Sequence, residues 1–521
     1  MKRRRASNRL PDTAQTGLPL SSPAARASHI QPAVPVTATR FAPEQEVYFG
    51  AGTLESYLRA TRQDLPVLLR GFLRELDMSV LLGEAKETGR KPIHPRVFMG
   101  LVTYGMLSKQ SSLRDLERLA RVDLGAIYLC GGLQPDHSTI GKFISEHEEA
   151  LSEGFYVEMT TQLARRLGVK AGAVAIDGTT IQAAASAYRA MKLEAAREVA
   201  RELAERAQQE PENARLQASA QTAHEAVVVG ALRESAREGK GNKAPVQVCP
   251  AEPDAVIQPL KNELFAPSYK PTVCVHESGL IVGQAVDGSS EMAHLATLLA
   301  QQEQVVGEKA TMVLLDAGFH NETTFSLCLA REENVLCPAG RESAPEMEPV
   351  SKKGKLLKHR FEFDEGRDCY TCPAGQLLVR IEQDRDKDGR RLVTYRAPAA
   401  ICAVCPLKAR CTTSPSRQIK RYEIDATKEA MRQILRHPQA RADYRRRSWT
   451  VEPSFSRLRG RQGLTRFLRR GLRGVRVEFA LHALAHNFGV ATRAARRRAA
   501  RRYAWARRSA GKAHSRRSRR P

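Results

Sequence analysis

Val174-Ala175-Ile176-Asp177-Gly178 is the stretch on which the fold turns. A short apolar run that closes on an acid reads as a buried strand with a carboxylate at its end. One such acid means little, because many only cap the turn that follows. The pattern returns at Met312-Val313-Leu314-Leu315-Asp316. Two acids that end strands of one sheet converge, and their charges repel unless a cation joins them. Hard oxygen ligands of this kind suit Mg²⁺ or Mn²⁺. Strand-like runs lie between them at 272–275 and 280–286, and 333–337 reads as a further strand. The expectation is an α/β core with Asp177 and Asp316 in one site.

Outward from this core the patterns become helical. Over 45–168, Leu113, Leu116, Leu119 and Ala120 recur at helical spacing, with Ser112 and Asp115 placed as a capping box. After Gly131-Gly132, Pro135-Asp136 opens a helix with Ile140, Phe143 and Ile144 inside and Ser138, Thr139, Lys142 and His147 outside. A glycine turn followed by a polar-faced helix suits a helix-turn-helix DNA reader, with Thr139 and Lys142 as contacts, and an ordinary helical bundle fits the spacing equally. Residues 188–240 are rich in Ala, Glu and Arg, lack aromatics after Tyr188 and are split by Pro211, which predicts an inserted helical hairpin. Residues 1–44, rich in Ala, Pro, Ser and Thr without apolar periodicity, read as a disordered arm.

The charge points to a partner. Lys and Arg total 83 against 57 Asp and Glu, a net charge of +26 over 521 residues. Such an excess suits a polyanion, usually nucleic acid, against the blander alternative of a basic enzyme. The last 30 residues hold 12 Arg and one Lys with no acid and read as a solvated tail from 491. No run approaches the ~20 apolar residues that cross a bilayer, and Met1-Lys-Arg-Arg-Arg lacks the apolar stretch of a secretory signal.

A third carboxylate is needed to hold two metal ions, and a helix can supply it. Glu452, in Tyr444-Arg-Arg-Arg-Ser-Trp-Thr-Val-Glu452, is the only acid between Asp443 and Glu478. It stands among Arg445, Arg446, Arg447, Arg457, Arg459 and Arg461. Holding metal is the functional reading of such an acid, and a salt bridge is the plain one. The arginines suit the phosphates on either side of a scissile bond. Metals ~3.5–4 Å apart clamp both the entering and the leaving oxygen of a displacement.

Five of the ten cysteines crowd into 369–411. Cys369-Tyr-Thr-Cys372 and Cys402-Ala-Val-Cys405 form two CxxC knuckles, with 29 residues between the inner cysteines. Paired knuckles predict structural Zn²⁺, with the long gap folded as a hairpin and Cys411 able to replace one of the four. The alternative is a set of unliganded thiols.

At these residues the sequence resembles the bacterial insertion-sequence transposases of the DDE class, in the branch with a cysteine insert before the glutamate. His94-Pro95, Leu101-Val-Thr-Tyr-Gly105 and Ser111-Ser112-Leu113-Arg114 are similar to that family's helical N-terminal region. Ala175-Ile-Asp177-Gly178-Thr179 and Leu315-Asp316-Ala-Gly318 resemble its two aspartate motifs. Tyr444, Arg447, Glu452 and Arg459 resemble its tyrosine–arginine–glutamate–lysine signature, with arginine in the lysine position and one extra residue before the glutamate. Phe467-Leu-Arg469-Arg470-Gly471 and Ala485-His486-Asn487-Phe488 resemble its terminal helices. The resemblance implies an RNase H-like core, two Mg²⁺ or Mn²⁺ ions, and DNA contacts from Tyr444, Arg447 and Arg459. It also implies binding of double-stranded DNA at terminal inverted repeats and at target DNA. Assembly as a homo-oligomer on the DNA ends, in the cytoplasm with the nucleoid, goes with it.

The expected organisation is therefore a helical DNA-binding domain at 45–168 and the first part of the core at 169–344. A cysteine-rich zinc module at 345–420 and the last part of the core at 421–490 follow, with a disordered tail at 491–521. A catalytically idle DNA-binding regulator and a nuclease that cuts without joining are the rival functions.

Overall fold

The computed structural model describes residues 41–82, 91–237, 244–260, 263–339, 354–386 and 389–517, without the side chains of 503, 504 and 506–517. The centre is a mixed sheet. Its main strands are β1 (Ala173–Gly178), β2 (Phe265–His276), β3 (Ile281–Asp287), β4 (Met312–Leu315) and β5 (Val335–Leu336). They lie side by side as β5-β4-β1-β2-β3. β4 runs parallel to β1 and to β5, whereas β2 is antiparallel to β1 and β3. Both faces of the sheet are covered, so β1 is apolar without alternation: Ala173, Val174, Ala175 and Ile176 are all buried.

The N-terminal helices form as their patterns predict. Ser112 caps helix α1 (Leu113–Val122), and Asp136 caps α2 (His137–Glu146) by accepting from Thr139 N at 2.7 Å. They do not make a separate core. Leu69, Phe98, Met106, Leu119 and Phe143 belong to the same buried cluster as Val174, Val313 and Phe479. The inserted hairpin is α3 (Leu193–Gln209) against α4 (Ala214–Ser235), with Pro211 in the turn and the Asn213 side chain capping α4.

The cysteine-rich segment is a unit with its own sheet. Five antiparallel strands, β6 (Glu362–Asp364), β7 (Cys369–Thr371), β8 (Leu377–Arg385), β9 (Arg391–Arg396) and β10 (Gln418–Tyr422), follow in chain order. Phe361, Tyr370, Leu378, Tyr395 and Ile419 fill its small core. The gap between the knuckles does contain a hairpin, β8–β9.

The chain then returns to the main sheet through α5 (Pro438–Ser456), which packs on β1 and β2, and α6 (Gly471–Arg517). Asn487 fixes α6 to the sheet edge: its Oδ1 accepts from Ile281 N and its Nδ2 donates to Ile281 O, both at 2.8 Å.

Two expectations about the ends change. The tail expected to be disordered from 491 continues α6 as far as Arg517. Alanine and arginine, which dominate it, are strong helix formers, and the helix is already nucleated on the core. The arm expected over 1–44 lies outside the described residues up to 40. Residues 41–44 are docked, with Glu44 paired to Arg70 at 2.8 Å and Phe41 against the His94 ring. No helix among the described residues is long and apolar enough to cross a membrane.

Candidate metal and nucleic-acid site

The register of β1 and β4 builds the site. Leu315 pairs with Ile176 across parallel strands, so the next residues, Asp316 and Asp177, stand side by side at the same edge of the sheet. Neighbouring strands are ~4.8 Å apart, which sets the spacing of two such carboxylates. A third acid completes the group: ligand atoms of Asp177, Glu291 and Asp316 all lie within 4.8 Å of one another. Glu291 comes from the loop after β3. It closes over Gly178, where an added Cβ would collide with Glu291 Cγ, so a side chain at 178 would displace this acid.

Three carboxylates here face two protein cations. Arg447 on α5 reaches Asp177 at 3.0 Å and Asp316 at 3.8 Å, and Lys270 on β2 pairs with Glu291 at 2.6 Å. Arg447 Nε is buried without a partner among the described residues, so these acids do not fully satisfy the guanidinium. Burial pushes the Asp177 carboxyl up to about 6. Arg447 pulls it down, and the charges of Asp316 and Glu291 push it up again. Such a cluster suits a divalent cation, which binds hard oxygen ligands and relieves their repulsion. Tyr444, one turn before Arg447, is close enough to Asp316 and Asp177 for their charges to raise its hydroxyl, which burial pushes up to about 12.

The sequence reading placed Glu452 in this group, and the structure does not bring it there. Glu452 is exposed on α5 and takes no part in the cluster. It stands five residues after Arg447 and seven before Arg459. In a regular helix five residues turn the side chain about 140° away from Arg447. Arg459 returns to the site's edge, where it donates to the Thr179 hydroxyl and to Thr180 O at 3.1 Å. The neighbouring acids have other work. Glu478 is buried and accepts from Leu468 N and Arg469 N, and Asp443 accepts from Gln439. Glu291 was missed because it lies in a loop with no periodic signal. The only hint is an acid four residues after the strand-ending Asp287.

The expected DNA contacts Thr139 and Lys142 are on the solvent side of α2. Lys142 is 70% exposed and loosely paired with Glu146 at 3.7 Å, and Thr139 is half-buried, its N–H held by the cap.

In the cysteine module, burial raises the Cys411 thiol, Arg417 lowers it, and Cys402, Cys372 and Cys405 lie near enough for their charges to raise it further. Cys372, Cys402 and Cys411 pack against the same small core. Cys372 Sγ accepts from Gln376 N at 3.3 Å, a backbone N–H turned onto a sulfur. No three of these sulfurs come as close as the acid ligands do. Cys369 differs: it is 4% exposed, inside β7 and paired in register with Asp364 and Val379. Cys372, Cys402 and Cys405 are thus the cysteines whose charges reach Cys411, and Cys369 is not among them. Neighbours on β7 point to opposite faces, so its first cysteine is committed to the sheet, whereas Cys372 lies just past its end.

Residues 371–491 match a family model described as "Transposase DDE domain", and residues 63–146 match one described as "Transposase domain (DUF772)". None of the curated proteins matches the chain.

Proposed function

The chain belongs to the insertion-sequence transposases of the DDE class, and from that premise we propose that it cleaves and rejoins DNA at the terminal inverted repeats of its element. The observation that carries this reading is the register that sets Asp177 and Asp316 side by side beneath Arg447. Two strand-end acids in a sheet packed on both faces also support an RNase H-like core. Asp177 and Asp316 would hold Mg²⁺ or Mn²⁺, two ions when a third carboxylate joins. When bound, the metal polarises a phosphoryl oxygen and activates water or a 3′-hydroxyl, which makes nicking and joining two uses of one site.

The chain's own residues hold the substrate. The guanidinium forks of Arg447 and Arg459 match phosphate oxygens bidentately, and both lie at the acid cluster or its edge. Tyr444 lines the same wall. Glu452 is the third metal ligand in this reading. It falls within the matched DDE segment and is an exposed acid among arginines, between the two that reach the site. Its placement outside the cluster favours a second reading, in which Glu291 is the third ligand. The exposed face of α2, with Thr139 and Lys142, would read the DNA ends, with two or more copies of the chain assembled on them. Cys372, Cys402, Cys405 and Cys411 would hold a structural Zn²⁺, the donor set that ion prefers.

The test is cleavage of a labelled duplex that carries an element end, in Mg²⁺, by the full chain. The wild type should nick this duplex and join it to target DNA, and Asp177→Ala should do neither. Cleavage that survives Asp177→Ala overturns the proposal.

A further inference from the structure

Four arginines, none with an acidic partner among the described residues, meet where the end of α5 faces α6. Arg457 follows α5, Arg461 closes the turn after it, and Arg493 and Arg497 lie on α6. Among the described residues none of them makes an ion pair or a side-chain hydrogen bond. They are close enough to depress one another. Burial first, then Arg457, Arg461 and Arg497, lower Arg493 to about 10. Repulsion of this kind within a protein is relieved by an anion.

Arg457, Arg493 and Arg497 line a cleft of about 440 Å³, together with Ser278, Gly279, Trp449 and Pro453. The one acid in its wall, Glu277, is already paired with Arg446. At the rim Trp449 is 80% exposed, an unusual place for the largest apolar side chain. The cleft is not the acid site. Glu277 N donates to Ala173 O at the start of β1, four residues or about 13 Å along the strand from Asp177.

A cleft lined by arginines with a bare indole at its mouth fits one class of ligand. Duplex DNA offers phosphates but hides its base faces in the stack, whereas an unpaired strand offers both. Resting on the reading above that DNA is the substrate, we propose that this cleft holds an unpaired DNA strand. Arg457, Arg493 and Arg497 take its phosphates, and Trp449 stacks on one of its bases.

The experiment compares binding of a labelled oligo-dT and of a blunt duplex by the full chain, with no added divalent metal. Trp449→Ala should weaken oligo-dT binding roughly tenfold, the scale of one lost base stack, and change duplex binding less than twofold. Trp449→Phe should restore most of the loss. Arg493→Ala with Arg497→Ala should weaken oligo-dT binding more strongly and flatten its salt dependence. Trp449 is exposed, so its replacement leaves the core intact, and an unchanged melting temperature verifies that. Wild-type oligo-dT affinity in these variants, or an equal loss on both DNAs, overturns the inference. If duplex cleavage still depends on Asp177 in that case, the function proposed above stands without it. A wild-type chain that binds neither DNA loses both.

Discussion

The two candidate cation sites in this chain are built in opposite ways. The acid cluster draws on residues spread over more than a hundred positions, 177, 291 and 316, and its charge is already countered by Arg447 and Lys270. The cysteine cluster draws on one compact segment, 372–411, and the cation that acts on Cys411, Arg417, hydrogen-bonds to Cys411 O and Leu356 O. The first exists because a large sheet sets the register of two strands, and it keeps its shape through protein cations. The second has a small core of its own and lies within a single segment of the chain. A metal at the acid cluster therefore tunes a site that the fold already makes, whereas a metal at the cysteines would hold its own module together.

The largest effects should separate these roles. Asp316→Ala should abolish both nicking and joining of labelled DNA ends, yet leave thermal melting within a few degrees of wild type. Joining of pre-cut ends by Asp316→Ala would break the idea of one shared site. Cys411→Ser should do the reverse to stability: one zinc per chain lost by elemental analysis, and early proteolysis within 354–422. Structural zinc contributes about 10–16 kcal/mol to folding of such modules. Cys369→Ser should keep its zinc. Zinc loss on Cys369→Ser with retention on Cys411→Ser would restore the ligand set read from the sequence.

A sharper comparison concerns the third carboxylate. Glu452→Gln should reduce nicking to background, while Glu291→Gln, which leaves Lys270 unpaired, should reduce it less. The opposite order, measured on the same labelled end, moves the third ligand to Glu291. The smallest effect lies outside both clusters. Lys142→Ala, on the exposed face of α2, should lower discrimination between element ends and random duplex by about 1–3 kcal/mol if it reads a base. An unchanged ratio places end recognition elsewhere.

What the sequence disclosed follows the same division. The strands that end in Asp177 and Asp316 were legible because burial on both faces leaves a continuous apolar run that one acid terminates. The caps at Ser112 and Asp136 were legible because they are local. The hairpin at Pro211 was legible from composition. What escaped depends on where loops and helix faces come to rest. Glu291 lies in a loop, and its role appears only when the loop crosses Gly178. Glu452 stood out by its basic surroundings, but its helical phase relative to Arg447 was not legible there. Cys369 was paired with Cys372 on spacing, although the start of β7 commits it to the sheet. The tail after 491 has the composition of a solvated segment, and its continuity with a buried helix was not visible in charge alone. The single core shared by the N-terminal helices and the sheet was likewise hidden, because no local pattern says which apolar face meets which.

The central claim is that Asp177 and Asp316 together seat a divalent metal. It is tested most directly by Mn²⁺ titration of the full chain, followed by electron paramagnetic resonance of the free ion. The wild type should bind Mn²⁺ saturably. Asp177→Ala and Asp316→Ala should each lose that binding, with bound zinc and the melting temperature little changed. Equal Mn²⁺ affinity in the wild type and both variants would contradict the account.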